Sequence, residues 1–129
     1  MPRPPRADTQ RLGAEAEQAA CALLQARGLQ LLARNVRYPF GEIDLIMRDG
    51  ATVAFVEVRR RKNFAFGGAA ASVDARKRRK IALAAQAWLS GTPAYRQAAC
   101  RFDVVAVQEE PDGLSCEWLP AAFTLNDVV

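Results

Sequence analysis

Glu42, Asp44 and Glu57 are the residues whose type and spacing best suit chemistry in this chain. They lie on two apolar runs, Glu42 to Arg48 and Ala51 to Arg61, flanking Asp49-Gly50, a dipeptide that tolerates the positive φ angles of a two-residue hairpin. With Asp49 and Gly50 as the turn, Asp44 faces Phe55, Glu42 faces Glu57 and Phe40 faces Arg59. The period of two then gathers Glu42, Asp44, Ile46, Phe55, Glu57, Arg59 and Arg61 on one side, with Ile43, Leu45, Met47, Val56 and Val58 on the other. A four-residue loop keeps this parity, whereas a one-residue slip destroys it. Opposed carboxylates raise one another's pKa or recruit a cation. A hard divalent ion with oxygen ligands, Mg²⁺ or Mn²⁺, relieves the repulsion. Arg59 and Arg61 relieve it equally well on a solvated hairpin face with cross-strand ion pairs.

A further carboxylate comes from the first helical segment. Gly13, Glu17, Ala20, Cys21 and Leu24 fall on one stripe, so Glu17 points beside the packed face, where an acid needs an Arg or a shared metal. Glu15 sits further round as a surface charge. The positive charge is clustered in Arg59-Arg60-Arg61-Lys62 and Arg76-Lys77-Arg78-Arg79-Lys80. The second cluster opens a helix, where the dipole disfavours each cation by a few tenths of a kcal/mol, about 0.3 or more. Phosphate binding accounts for cations in that place; solubility alone is the competing account.

Composition narrows the chemistry. There is no histidine, which excludes Ser-His-Asp, Cys-His and His-ligated zinc sites and leaves carboxylates, Lys, Arg or Tyr. Cys21, Cys100 and Cys116 are odd in number and lie in apolar segments, as buried thiols do, which argues against disulfides and structural zinc. At 129 residues and 50% hydrophobic, the chain suits one domain. No apolar stretch approaches the roughly 20 residues of a membrane span, and MPRPPRADTQ has no apolar signal core, so a cytoplasmic protein is expected. A net charge of +4 and a pI near 9.3 suit polyanionic partners.

These groups need a scaffold. Residues 1 to 7 are expected as a disordered Pro/Arg tail and 8 to 127 as the domain. Asp8 or Thr9 caps a helix to about Arg27, ended by Gly28. Leu29 to Arg37 reads as a strand, Tyr38-Pro39-Phe40-Gly41 as a bend, and the hairpin follows. Asn63 to Ala71 reads as a loop whose Phe64 and Phe66 stack on bases or close over the core, the core being favoured. Ser72 caps a second helix through about Leu89, packing by Ile81, Ala84, Ala85, Trp88 and Leu89. Cys100 to Val107 and Ser115 to Leu119 are strands, and the tail from Ala121 is ambiguous. The order implies an α/β fold with a mixed central β-sheet flanked by helices.

Gly41-Glu42-Ile43-Asp44-Leu45-Ile46, Phe55-Val56-Glu57-Val58-Arg59 and Arg101-Phe102-Asp103-Val104-Val105 resemble the signature blocks of the bacterial YraN family, of unassigned function. The resemblance covers about residues 9 to 126. It implies a restriction-endonuclease-like fold, similar to Holliday-junction resolvases, and through it a metal-dependent endonuclease acting on DNA, possible branched DNA included. On that pattern Asp44 matches the first acid, Glu57 the second and Glu17 the helix glutamate. Asp44, Glu57 and the Val58 carbonyl would hold Mg²⁺ or Mn²⁺, with Glu17 completing the shell through water. Glu42 is a supporting charge. Arg59 stands where the D/E-x-K motif has lysine, and a guanidinium cannot take a proton from water. If that lysine acts as base, its part falls here to a metal-bound hydroxide or to a displaced Lys62 or Lys77, or cleavage is lost. Arg60 to Lys62 and Arg76 to Lys80 would track the DNA backbone, and resolvase-like nucleases admit a homodimer. Alternatives are a non-catalytic nucleic-acid-binding module and a protein-interaction domain.

Overall fold

The computed structural model describes residues 6–60 and 73–124, with residues 6–12 as backbone alone. Helix α1 (Arg6–Ala26) is followed by β1 (Gln30–Tyr38), β2 (Gly41–Asp49) and β3 (Thr52–Arg60). Helix α2 (Ala75–Ser90), a 3₁₀ turn (Pro93–Tyr95), β4 (Ala99–Glu110) and β5 (Gly113–Phe123) complete the order. Asp8 and Thr9 lie inside α1 rather than capping it, and Arg6 and Ala7 are helical too. The remainder of the expected tail and the 63–71 loop, with Phe64 and Phe66, lie outside the described residues.

The sheet has the strand order β1-β2-β3-β4-β5. All neighbours are antiparallel except β3 and β4, whose parallel pairing requires the crossover that carries α2. On one face, Ala16, Ala20, Cys21 and Leu24 of α1 pack on Leu45, Met47, Ala54, Val56, Val105 and Val107. On the other, Ile81, Ala82, Ala84 and Ala85 of α2 pack on Ile46, Val53, Phe55, Phe102, Val104 and Ala106. Helices on both faces bury β3 twice over, which is why Val53 to Glu57 is a continuous buried run. This five-stranded mixed sheet between two helices is compatible with a restriction-endonuclease-like fold. Among the described residues no helix is long and apolar enough to cross a membrane.

The hairpin register differs from the sequence reading. Asp49 pairs with Thr52, so Gly50 and Ala51 are the turn residues. Gly50 takes the positive φ, 60°, at the first central position, where that turn type requires it. Asp49 instead ends β2, with its carboxylate 2.9 Å from Arg101 Nη1. The shift is by two, so parity survives: Ile46 and Phe55 face α2, and Leu45, Met47, Val56 and Val58 face α1. Ile43 is the exception, because it joins the α2-side core with Val36 and Tyr38. The cause lies in β1, where Asn35 has φ 49° and turns the strand over between Arg34 and Val36. A polar residue of that kind tolerates the left-handed region. Ile43 follows because it pairs with Val36.

The cap of α2 is Asp74, not Ser72: its carboxylate accepts from the Lys77 backbone N–H at 2.8 Å, leaving one fewer orphan donor in the first turn. β5 is longer than Ser115 to Leu119 and carries an irregularity opposite Asp103. There Ala121, with φ 51°, donates its N–H to Asp103 at 2.9 Å. Asp103 also accepts from Arg101 Nε at 3.0 Å and Trp118 Nε1 at 3.0 Å, and is 0% exposed. Its carboxylate stands in for the missing strand partner, a structural role for the Arg101 to Val105 block.

Candidate functional site

The site is built where β2 leaves β3. Their pairing runs from Asp49 and Thr52 to Leu45 and Val56, and then stops. In its place the Val58 N–H donates to Asp44 Oδ2 at 2.8 Å, so a side chain takes over from the strand backbone. One step beyond its last pair, Leu45 with Val56, this register leads Asp44 toward Glu57, in place of the expected Glu42. Glu57 is one of only two buried charged residues in the described chain, at 5% exposure. Its Oε1 lies 3.6 Å from Lys77 Nζ and 3.8 Å from Arg59 Nη1, and its Oε2 has no hydrogen-bond partner.

Burial first, and the Asp44 carboxylate second, push the Glu57 pKa up to about 8 against the pull of Lys77 and Arg59. Asp44 is raised too, chiefly by burial, and is held partly in check by the Val58 N–H and by Lys77. The Glu57 side chain, as a hydrogen-bond partner, also lowers Asp44. The two acids thus behave as a pair that retains a proton or accepts a cation in its place.

The other expected residues divide. Lys77, one of two candidates for a displaced lysine, is brought in by the first turn of α2 that Asp74 fixes. Glu17 is half-buried; burial and then Asp44 raise its pKa, while the Asn35 side chain hydrogen-bonds it and lowers it. It therefore sits near Asp44 on the α1 side. Glu42 is exposed, 3.7 Å from Arg37 Nε, and its charge raises both Asp44 and Glu57. Arg60 turns to Glu109 at 2.7 Å, away from the pair. Arg78 is tied to the Val73 carbonyl at 2.7 Å and lies over the Phe123 ring, so it serves packing. Arg76, Arg79 and Lys80 are exposed on α2. Arg61 and Lys62 lie outside the described residues. The sequence reading missed Asn35, whose signal was a residue that strands disfavour in the middle of a strand run.

Among the described residues no three His, Cys, Asp or Glu side chains converge as a metal cluster. Mg²⁺, however, commonly takes only one or two carboxylates and completes its shell with water and substrate phosphate. Asp44 and Glu57, desolvated and with an unpartnered oxygen, fit that need. Glu17 and the Val58 carbonyl are not required by it.

The family model of an uncharacterised protein family, UPF0102, matches residues 16–107. A UPF0102 protein of Xanthomonas campestris pv. campestris (strain B100) is 53% identical over 118 residues, 92% of this chain and 95% of that protein. One from Halorhodospira halophila (strain DSM 244 / SL1) is 50% identical over 122 residues, 95% of this chain and 94% of its own. One from Pseudomonas putida (strain GB-1) is 48% identical over 120 residues, 92% and 98% respectively. The matched stretch runs from the packed stripe of α1 to the buried end of β4 and contains Glu17, Asp44, Glu57 and Lys77, so the chain belongs to UPF0102, the YraN family.

Proposed function

We propose that this protein is a divalent-metal-dependent endonuclease acting on DNA phosphodiesters, with Asp44 and Glu57 holding one Mg²⁺ or Mn²⁺. The observation that carries the reading is the buried Asp44–Glu57 pair, with one unpartnered carboxylate oxygen and a lysine against the other. A bound divalent ion would acidify water and offset phosphate charge. Lys77 then meets the developing negative charge of the phosphodiester as a mobile ammonium, and Arg59 holds a phosphate oxygen by its planar fork. Lys77 replaces the absent strand lysine from α2 rather than from β3. Arg76, Arg79 and Lys80 extend the positive surface along the same helix toward the DNA backbone.

The test incubates purified protein with branched and linear DNA in Mg²⁺ or Mn²⁺, beside Asp44→Ala and Glu57→Ala. Cleavage by the wild type alone is expected; equal background cutting by all three sinks the reading. A second reading, binding without cleavage, draws on Lys77 and Arg59, which already offset the Glu57 charge that a metal would use. It predicts salt-dependent DNA binding with no cleavage in either metal.

A further inference from the structure

Beside the acid pair runs a groove of about 260 Å³ whose lining is unlike the pair itself: Tyr38, Pro39, Gly41, Glu42, Lys77 and Lys80. One lip is the turn joining β1 to β2, and the other is α2. At the turn Phe40 lies flat on the Tyr38 ring, with centroids 5.3 Å apart and planes 5° apart. Phe40 is nevertheless 43% exposed, and it is the only aromatic among the large exposed apolar residues described. Fixing the turn does not need it, because Pro39 already restricts the backbone there. Phe40 is not among the residues that line the groove; it adjoins the groove through Tyr38, and its exposed ring, held from behind by that stack, is a stacking platform at the rim.

The facing lip is cationic. Lys77 and Lys80 lie one turn apart on one side of α2, and Lys77 also touches Glu57. Gly41 fixes the two lips together, since a Cβ there would run into the Lys80 carbonyl. The anion on the lining, Glu42, is 3.7 Å from Arg37, which offsets its charge. An aromatic platform beside two cations is how proteins take unpaired nucleic acid: the backbone follows the charge and a base lies on the ring. The volume, below the roughly 300–1,000 Å³ of small-molecule pockets, suits the sugar-phosphate of one nucleotide of a longer strand, with its base at the rim.

We infer that the groove between Tyr38 and Lys77–Lys80 binds the sugar-phosphate of one unpaired nucleotide, its phosphate between the lysines and its base on Phe40 at the rim, outside the lining itself. This rests on the nuclease reading and narrows its substrate to DNA with unpaired bases, such as a single strand, flap or branch. Bases inside a duplex are stacked on their neighbours and present no free face to Phe40. The nucleotide in the groove leads its neighbouring phosphate to Asp44 and Glu57, because Lys77 belongs to both places.

Binding is measured by fluorescence anisotropy in EDTA, with an end-labelled single-stranded oligonucleotide and a blunt duplex of the same sequence. The wild type prefers the single strand. Phe40→Ala weakens single-strand binding roughly ten-fold, leaves duplex binding unchanged and melts as the wild type does. Phe40→Trp restores affinity and shows added indole fluorescence that the bound strand quenches. Lys80→Ala weakens both probes and lowers the salt slope by about one. Equal effects of Phe40→Ala on both probes, no effect on either, or no single-strand binding by the wild type at low salt would each overturn the inference. Because divalent metal is absent, a protein that binds through Phe40 yet cuts nothing upholds the groove and removes the cleavage reading instead.

Discussion

Lys77 Nζ lies 3.6 Å from Glu57 Oε1, so a cation from α2 meets a carboxylate that β3 has carried out of water. Attraction of that kind ordinarily keeps a carboxyl ionised. Here desolvation and the opposed Asp44 outweigh it, and Glu57 titrates near 8 rather than 4.5. The pair is therefore strained as two anions, and that strain has measurable consequences.

The first is in stability against pH. Glu57 is protonated in both states below about 4.5; between there and about 8 the unfolded chain releases the proton while the folded chain keeps it. The folded state binds more protons over this window, so its stability falls as pH rises. Glu57→Gln removes the penalty. We expect it to match the wild type in thermal melts at pH 4.5 and to be more stable at pH 8, by on the order of 3 kcal/mol. Parallel melting curves across the window would contradict this.

The second is in metal dependence. A cation that binds only the folded pair adds stability as RT ln(1 + [L]/Kd), about 2.7 kcal/mol at a hundred-fold excess over Kd. At pH 8, Mn²⁺ should raise the melting temperature of the wild type by several degrees, and EDTA should reverse it. Asp44→Asn should show no shift. Calorimetric titration of Mn²⁺ into both proteins checks the same point directly.

Asn35 gives a third. It holds φ 49° at the place where β1 turns over, and its side chain hydrogen-bonds Glu17. Asn35→Gly keeps the conformation and loses only the hydrogen bond, so it should cost little. Asn35→Val adds a β-branched side chain to a left-handed residue, and should cost about 1–2 kcal/mol or more in urea unfolding. An equal cost for both would mean that the hydrogen bond, not the backbone, matters there.

Period two survives any even shift of register, which is why Ile46 and Phe55, and Leu45 and Val56, keep the faces expected of them. Asp44 and Glu57 are neighbours, as expected, but not by shared parity, because the alternation of β2 breaks between Ile43 and Leu45. What spacing could not supply was the swap at Asn35, since a positive φ is a property of one residue and leaves no periodic trace. It also could not tell that Asp44 rather than Glu42 would oppose Glu57, because that depended on Gly50, not Asp49, taking the first central turn position. Lys77 was legible as one of two candidates for a displaced lysine, beside Lys62, but not as the neighbour of Glu57. Its selection needed Asp74 to fix the phase of α2.

Asp103 supplies a contrast with Asp44, since both carboxylates replace a strand partner, but only Asp103 is fully satisfied and closed to solvent. Asp103→Ala leaves Trp118 Nε1, the Ala121 N–H and part of Arg101 without an acceptor. A loss of about 3–5 kcal/mol is expected in chemical unfolding. Asp103→Asn should be nearly as costly, because an amide N–H₂ must face one of the donors. Neither change should alter the pH window of Glu57, which lies on the opposite face of the sheet.

Two glycine-to-alanine changes should have opposite signs. At Gly41 the added Cβ meets the backbone carbonyl of Lys80, which cannot swing aside as a side chain would. Helix α2 must move away from β2, at about 1–3 kcal/mol or more, and Lys77 moves with it. The loss of that cation leaves Glu57 harder to ionise, so Gly41→Ala should steepen the fall in stability toward pH 8 as well as lower it overall. At Gly13, inside α1, nothing lies within 4 Å of the added carbon and the backbone is helical. Gly13→Ala should stabilise by about 0.5–1 kcal/mol, because alanine gives up less conformational freedom in a helix. Urea unfolding of both variants at pH 6 and pH 8 measures the two effects together. A Gly41→Ala protein with wild-type stability and slope would mean that α2 is free to slide, and that Lys77 is not held against Glu57 by the packing at Gly41.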